Sequence, residues 1–372
     1  VKAMNQPLLS LVSRTRRTPF SNRVDASGVK SYTVYNHTLL STSFISAEED
    51  CNHLKKAVQV WDVSCQKQVE LIGKDSEKLL QMTTPRDLKR MQDDQCFYIP
   101  MVDEQGMMLN DPVVIKLSSN RFWVSISDTD MLYYFKGLAT GLNLDVKVFE
   151  PDVYPIAIQG PLANNLIKNF IGEEYIKTKF FSFKKFNFNN KEMIIARSGW
   201  SKQGGFEIYL DGFENGEALW DELFIAGKEL DVRAGCPNGI ERIEGGLLSF
   251  GNDITIDFDV YESSLGKFCN LQTVEGCLAT EALKKKSSPK RMLKPIEIDG
   301  EPITLFNQWW DLKDINNNNK VGSITSGIWS PDFNTNIAIG MVDKNYWNTE
   351  NLLIAVSPQG NRKVKVREQY WI

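Results

Sequence analysis

The chain has 372 residues, 42% of them hydrophobic and 11% aromatic, with a net charge of −4. That length exceeds one typical core and calls for two or three domains, and the composition is that of a folded protein rather than a disordered one. An acidic balance without a basic stripe speaks against nucleic acid as a partner; no apolar run approaches the roughly 20 residues of a membrane helix, and the first residues carry no signal-peptide core.

The chain opens Val1-Lys2-Ala3-Met4, which makes Met4 a candidate native start. Ser46-Ala47-Glu48-Glu49 has the capping-box spacing and predicts a helix through about Val60. Val69 to Gly73 reads as a short strand, and Asp75 as the cap of a helix carrying Leu79, Leu80 and Met82. Strands follow over Cys96–Met101, Val113–Leu117 and Phe122–Ser127. Asp128 precedes a helix with Met131, Leu132, Phe135 and Leu138 on one face. Pro155 to Gln159 is a buried strand, and Pro161 starts a helix bearing Leu162, Leu166, Ile167 and Phe170. Phe181, Phe183, Phe186 and Phe188 suggest a strand pair, and Leu219, Trp220, Leu223 and Phe224 a helical core stripe. The basic run from Lys284 to Arg291 reads as a solvated linker into short strands divided by Gly, Asn and Pro, an all-β C-terminal domain. The fold class is α+β.

Two places carry candidate chemistry. Met193 to Arg197 is a strand that passes through a loop with Gly199, Gly204 and Gly205 and re-enters a strand at Phe206. Glycine permits sharp turns and close approach to a ligand, and the loop brings Trp200 near Glu207. A flat aromatic beside a carboxylate suits a pterin ring, which stacks on one and donates hydrogen bonds to the other; a plain β-hairpin is the competing reading. Asp111, in Leu109-Asn110-Asp111-Pro112, is either a turn aspartate or a catalytic carboxylate. The six cysteines, at 51, 65, 96, 236, 269 and 277, lack zinc spacing and read as reduced thiols of a cytoplasmic protein. Only His37 and His53 are present, and there is no Walker loop or G-x-G-x-x-G. The chemistry expected is therefore one that needs no metal, imidazole or bound nucleotide, such as one-carbon transfer between organic molecules.

Further motifs fall in a fixed order: Trp61-Asp62-Val63-Ser64, Gly106 to Asp111, Gln159-Gly160-Pro161, Arg242-Ile243-Glu244-Gly245-Gly246, Gly322 to Gly327 with Ser330-Pro331, and Ile337-Ala338-Ile339-Gly340. With the glycine loop, which follows S-x-G-[YF]-[ST]-x-x-x-G-F-E, they resemble the folate-binding aminomethyltransferase family, the T-protein of glycine cleavage and its relatives, from about residue 45 to the C-terminus. The resemblance implies three domains around a central folate funnel, the last an all-β barrel: a discontinuous folate-binding domain over 1–54 and 145–255, a second α+β domain over 55–144, a connecting segment over 256–284 and the barrel over 285–372. It implies tetrahydrofolate as co-substrate, Asp111 facing the reactive folate nitrogens, and Glu207, Tyr98, Trp200, Tyr209 and Arg242 as folate-binding positions. Tyr209 could equally be a strand residue facing the core, and Arg242 a structural ion-pair partner.

The departures point to a particular donor. Asn110 stands where the family has a first aspartate, Asn238-Gly239 where it has R-D, and Trp200-Ser201-Lys202-Gln203 where it has Y-T-G-E. With Arg16 to Phe20, Tyr32 to His37 and Trp61 to Gln66, these resemble the dimethylsulfoniopropionate demethylases of the family. That resemblance implies methyl transfer by direct displacement to tetrahydrofolate, giving 5-methyltetrahydrofolate and methylmercaptopropionate, with Tyr98, Trp200 and Tyr209 around the sulfonium. Alternatives are a glycine-cleavage aminomethyltransferase, and a non-catalytic folate-binding protein of iron–sulfur cluster maturation, whose K-G-C-Y-x-G-Q-E is not matched by Glu275 to Glu281. A sarcosine or dimethylglycine demethylation domain would need a flavin-bearing subunit. The partners expected are small molecules, with no nucleic acid or membrane, for a monomer or homodimer.

Overall fold

A computed structural model describes residues 10–348 and 353–372; Met4 lies outside them. Two sheets and a barrel organise the chain. A six-stranded sheet runs Phe183–Phe188, Lys191–Ala196, Gly205–Asp211, Val153–Gln159, Val58–Asp62, Val232–Gly235, antiparallel except for its last pair. A five-stranded antiparallel sheet runs Lys147–Phe149, Gln68–Ile72, Arg121–Ser125, Val113–Ser118, Cys96–Tyr98. Six strands from Arg291–Ile298 to Gly360–Val366 close the C-terminal barrel.

Period-two alternation explains how the sheets pack. Phe206, Ile208 and Leu210 face the helices Ala163–Ile171 and Gly216–Ala226, joining Leu166, Ile167, Leu219, Trp220 and Leu223 in one core. Val69, Leu71, Phe122 and Val124 face the helices Ser76–Met82 and Met131–Gly141 in a second. The two uncovered faces press together: Cys96, Ile115 and Trp123 of one sheet meet Phe183, Ile194, Ala196 and Tyr209 of the other. Residues 250–283 and the barrel share a third core.

Several expectations need correction. Ser46 does accept from the Glu49 N–H at 3.1 Å, but the helix it caps ends at Leu54. Val58–Asp62, which was expected to finish that helix and to belong with residues 55–144, is instead a wholly buried strand of the six-stranded sheet. Its β-branched Val58 and Val60 suit a strand flanked on both sides, where burial outweighs a local helical start. Lys147–Phe149 conversely pairs with Gln68–Ile72 in the five-stranded sheet, not in the unit expected over 145–255. The chain thus crosses between sheets after Asp62 and again before Val153. The single strand expected over Cys96–Met101 breaks at Ile99-Pro100 into Cys96–Tyr98 and Met101–Val102, because proline cannot donate to a ladder. Asp75 precedes its helix but makes no side-chain cap; its Oδ2 accepts from the Asp145 N–H at 2.7 Å. Lys284, Lys285 and Lys286 close the helix Thr280–Lys286 rather than lying in a linker, a position where cations favour the helix dipole.

The helix Gly239–Glu244 joins the six-stranded unit to the barrel. Glu244 is fully buried; its carboxylate accepts from Ser330 Oγ at 2.6 Å and pairs with Lys55 Nζ at 2.5 Å, which also reaches Asp332 at 2.6 Å. Removing one partner of a buried pair leaves the other charge uncompensated. Lys55→Met is therefore expected to cost about 3 kcal/mol, seen as a lower urea midpoint, with part of the loss recovered in Lys55→Met/Glu244→Gln.

Candidate functional site

The site lies where the inner faces of the two sheets turn polar. Asn110 ends the short strand Met108–Asn110, and Asp111 follows it. Asp111 is 9% exposed; Tyr98 Oη donates to its Oδ2 at 3.0 Å and Ser127 Oγ to its Oδ1 at 2.5 Å. Burial raises its carboxyl from 3.8 to about 6, and the bonds from Ser127 and Tyr98 pull the other way. Asn110, fully buried, turns elsewhere: its amide donates to Thr129 Oγ1 at 2.7 Å and Ser127 O at 3.1 Å, and its Oδ1 accepts from the Ser127 N–H at 2.9 Å. Asn110 thus shapes the loop that carries Ser127, and Asp111 is the single carboxylate of the pair left to face the site.

A hairpin from the other unit completes this end. Asn36 and His37 both have positive φ, +50° and +58°, the backbone of a tight two-residue turn between Ser31–Tyr35 and Thr38–Ser43. Its tip docks on the loop after Ser125: the Asn36 N–H donates to Asp128 Oδ1 at 2.6 Å, and the Asn36 amide donates to the carbonyls of Cys65, Ile126 and Ser127. Docking brings the half-buried Tyr35 hydroxyl to Ser127 and Asp111; burial first, then the Asp111 charge, push that phenol well above its usual range. Neither Tyr35 nor Ser127 was singled out from the sequence for a role. The Asn36-His37 turn was a legible signal of a hairpin tip, but not of where the tip docks.

Glu207 occupies the second sheet's inner face. It is 6% exposed, and Ser198 Oγ donates to its Oε2, while its Oε1 receives no hydrogen bond among the described residues. Burial raises its pKa and the Ser198 bond opposes the rise. The loop beside it is built on Gln159, which is fully buried. Gln159 Nε2 donates to Ser198 O at 3.3 Å and Phe206 O at 3.4 Å, and Ser201 Oγ donates to its Oε1 at 2.7 Å. The loop lies directly on this amide: a Cβ at Gly199 would stand 2.0 Å from Gln159 Nε2, and one at Gly205 2.1 Å from Ile158 O. Glycine is thus required here for close approach to Gln159 and the Ile158 carbonyl, where the sequence suggested approach to a ligand. Trp200 is half-buried on this loop and makes no ring contact among the described residues.

The two clusters meet between the sheets. Cys96, two residues before Tyr98, feels the Glu207 charge and shares one inter-sheet cluster with Trp123 and Tyr209. Tyr209 is 1% exposed and packs against Trp123 with ring centroids 6.0 Å apart, so it sits in the inter-sheet layer, the core-facing reading left open above. Arg242 lies apart: its Nη1 pairs with the fully buried Asp253 at 2.8 Å and its Nη2 donates to Ser326 Oγ at 2.7 Å, so it makes the ion pair that was its other reading. The structure brings Asp111 and Tyr98 together, sets Glu207, Tyr209 and the Trp200 loop on the facing sheet, and leaves Arg242 at the barrel contact. What this arrangement can do chemically is bind a flat heterocycle by its polar edge at Glu207 and hold one weakly acidic carboxylate in a dry setting at Asp111.

The GCVT N-terminal domain matches residues 21–273 and the glycine cleavage T-protein C-terminal barrel domain matches 293–370. The chain is 49% identical over 358 residues to the dimethylsulfoniopropionate demethylase of Ruegeria pomeroyi, covering 96% of this chain and 98% of that one. It is 26% identical over 317 residues to an aminomethyltransferase of Caldanaerobacter subterraneus subsp. tengcongensis, covering 82% and 83%. The crystal structure of glycine cleavage system aminomethyltransferase T from Bartonella henselae superposes with a TM-score of 0.85 at 20% identity, over 96% of this chain and 98% of that one, and shares the fold.

The raised Asp111 value has a consequence for stability. A folded state that binds this proton more tightly than the unfolded chain is favoured by it at acid pH, and that contribution is lost as pH rises from about 4 to about 6. Asp111→Asn is expected to stabilise the protein at neutral pH by roughly 2–3 kcal/mol and to change little at about pH 4, read from urea midpoints at both. A lower midpoint at neutral pH would mean that the bonds from Tyr98 and Ser127 outweigh burial.

Proposed function

The chain belongs to the glycine cleavage T-protein family, and from that premise we propose that it transfers a methyl group from dimethylsulfoniopropionate to tetrahydrofolate. The observation that carries this reading is the contrast in likeness, 49% identity to a dimethylsulfoniopropionate demethylase against 26% to an aminomethyltransferase. The site fits tetrahydrofolate: the Glu207 carboxylate has one oxygen that takes no donor among the described residues, beside a glycine loop pressed close. Tetrahydrofolate supplies the nucleophilic N5, and the products are 5-methyltetrahydrofolate, methylmercaptopropionate and a proton.

A sulfonium is already activated, because its leaving group is a neutral thioether that keeps the electron pair of the broken S–CH₃ bond. The protein's task is then mainly to orient two reactants and exclude water. Glu207 accepts from the amino-pyrimidine edge of the pterin. Trp200, Tyr98 and Tyr209 form the aromatic surroundings of the donor, Tyr209 from within the wall. Aromatic faces hold a cation for roughly 0.5–2 kcal/mol without pinning it as a carboxylate would. A carboxylate at sulfur would favour the ground state, since the charge leaves sulfur in the transition state. Asp111 therefore serves the acceptor side, stabilising positive charge as it arrives on nitrogen. With Asn110 committed to the Ser127 loop, the pair offers one carboxylate to that charge, which suits methyl transfer better than stabilising an iminium. Arg242 acts through the barrel contact and not on the reactants.

The test is a turnover assay with tetrahydrofolate and dimethylsulfoniopropionate, following 5-methyltetrahydrofolate by chromatography, with glycine betaine as a parallel donor. Product from the sulfonium alone is expected; no product from either donor, with tetrahydrofolate still binding, would move the reading to aminomethyl transfer or folate binding without catalysis. Asp111→Asn should lower kcat by about a hundredfold with tetrahydrofolate still saturating, and unchanged turnover would remove Asp111 from the mechanism. Glu207→Gln should raise the KM for tetrahydrofolate about tenfold, the loss expected of a hydrogen bond to a charged group.

A further inference from the structure

The helix Gly239–Glu244 sends three charged side chains in three directions. Arg242 goes to Asp253 and Ser326, and Glu244 to Lys55 and Ser330. Glu241 alone faces the glycine loop. It is 1% exposed, and its Oε1 accepts from the Lys202 N–H at 2.6 Å and from Gln203 Nε2 at 3.3 Å. Its Oε2 is buried with no partner among the described residues. A carboxylate sealed in this way is costly unless its bonds repay it, and among the described residues its bonds go to Lys202 and Gln203, which follow Trp200 and Ser201. Burial raises its pKa, and the Lys202 and Gln203 bonds oppose the rise.

The loop is braced from both sides. On one side Ser201 Oγ holds Gln159 Oε1 and accepts from the Gln203 N–H at 3.3 Å. On the other the loop rests on the end of the helix, where a Cβ at Gly245 would stand 2.5 Å from Lys202 Cγ. The helix is itself fixed: Asn238 caps it, and Arg242 and Glu244 tie it to the barrel strand Lys320–Ser330. Glu241 is therefore a rigid anchor for a loop whose Trp200 makes no hydrogen bond or ring contact among the described residues.

We infer that Glu241 is a positioning residue for the methyl donor, fixing the Trp200 loop against the barrel-bound helix so that the indole is held in place before the sulfonium arrives. The inference rests on the methyl-transfer reading for what Trp200 binds, but not for the tether itself. Because Oε2 has no donor to lose, Glu241→Gln keeps the working acceptor and gives up only the charge. Glu241→Ala removes the acceptor.

The experiment combines amide hydrogen exchange over residues 198–205 with steady-state kinetics on the full chain. Glu241→Ala should speed exchange at the Lys202 amide and raise the KM for dimethylsulfoniopropionate, each by about tenfold, the scale of leaving a buried donor without its acceptor. The KM for tetrahydrofolate should move less than about twofold on the same scale, and Glu241→Gln should stay near wild type in both readouts. Where Glu241→Ala fails to fold, Glu241→Asp, one methylene too short to reach, should release the loop in the same way. Unchanged exchange in Glu241→Ala, or equal impairment in Glu241→Gln and Glu241→Ala, would overturn the inference. Wild-type protein that turns over no donor would overturn the methyl-transfer reading instead, and the exchange arm would still decide whether Glu241 holds the loop.

Discussion

Everything in this molecule depends on two sheets that each hide one face under helices and must hide the other against one another. A sheet face buried in this way would ordinarily be wholly apolar. Here Ile115, Ile194, Ala196 and Trp123 provide the apolar contact, but Gln68, Glu70, Ser125 and Glu207 are buried with them. Polar groups in such a layer must find partners. Glu70 takes the Trp123 indole N–H at 3.0 Å, and Gln68 donates to Ser125 Oγ at 2.9 Å. Among the described residues the side-chain bonds to Glu207 and Asp111 all come from hydroxyls, of Ser198, Ser127 and Tyr98, and burial outweighs them, so both carboxyls sit above their ordinary range. The packing that stabilises the fold is thus also what tunes the site.

The second constraint is that the site is assembled from pieces far apart in the chain. The Asn36 tip reaches the Ser127 loop, and Gln159 underlies the Ser198–Gly205 loop. The helix Gly239–Glu244 connects that loop to the barrel by way of Glu241, Arg242 and Glu244. The chain end closes the same contact, where the Trp371 N–H donates to Glu244 O at 2.8 Å. Among the described residues the barrel bears none of the Asp111 or Glu207 clusters, yet it fixes the helix on which the Trp200 loop rests.

Much of this was legible because period and punctuation are local. Phe206 to Leu210 alternates, so the sequence showed that Glu207 and Tyr209 share one face of the strand, opposite Phe206, Ile208 and Leu210. The helical stripe at Leu219, Trp220 and Leu223 is core, and Ser46 caps a helix where its spacing indicated. Where reading failed, a tertiary term outweighed a local one. The helix opened by Ser46 stops at Leu54 because the residues that would continue it are needed as the buried strand Val58–Asp62. The charges of Lys284 to Lys286 end a helix instead of marking a linker.

The sequence by itself determined the α+β class and the C-terminal all-β unit, because turn chemistry, strand alternation and glycine spacing are written in neighbouring residues; it marked Glu207 and Trp200 as candidates through the glycine loop, and Asp111 through the family resemblance. Only the tertiary structure decided which strands share a sheet, that Tyr35 and Ser127 join Asp111, that Arg242 is taken by Asp253, and that Glu241 faces the glycine loop. Each of those is a pairing between residues distant in sequence, fixed by which faces must be buried together, and no local pattern records which partner a buried face will meet.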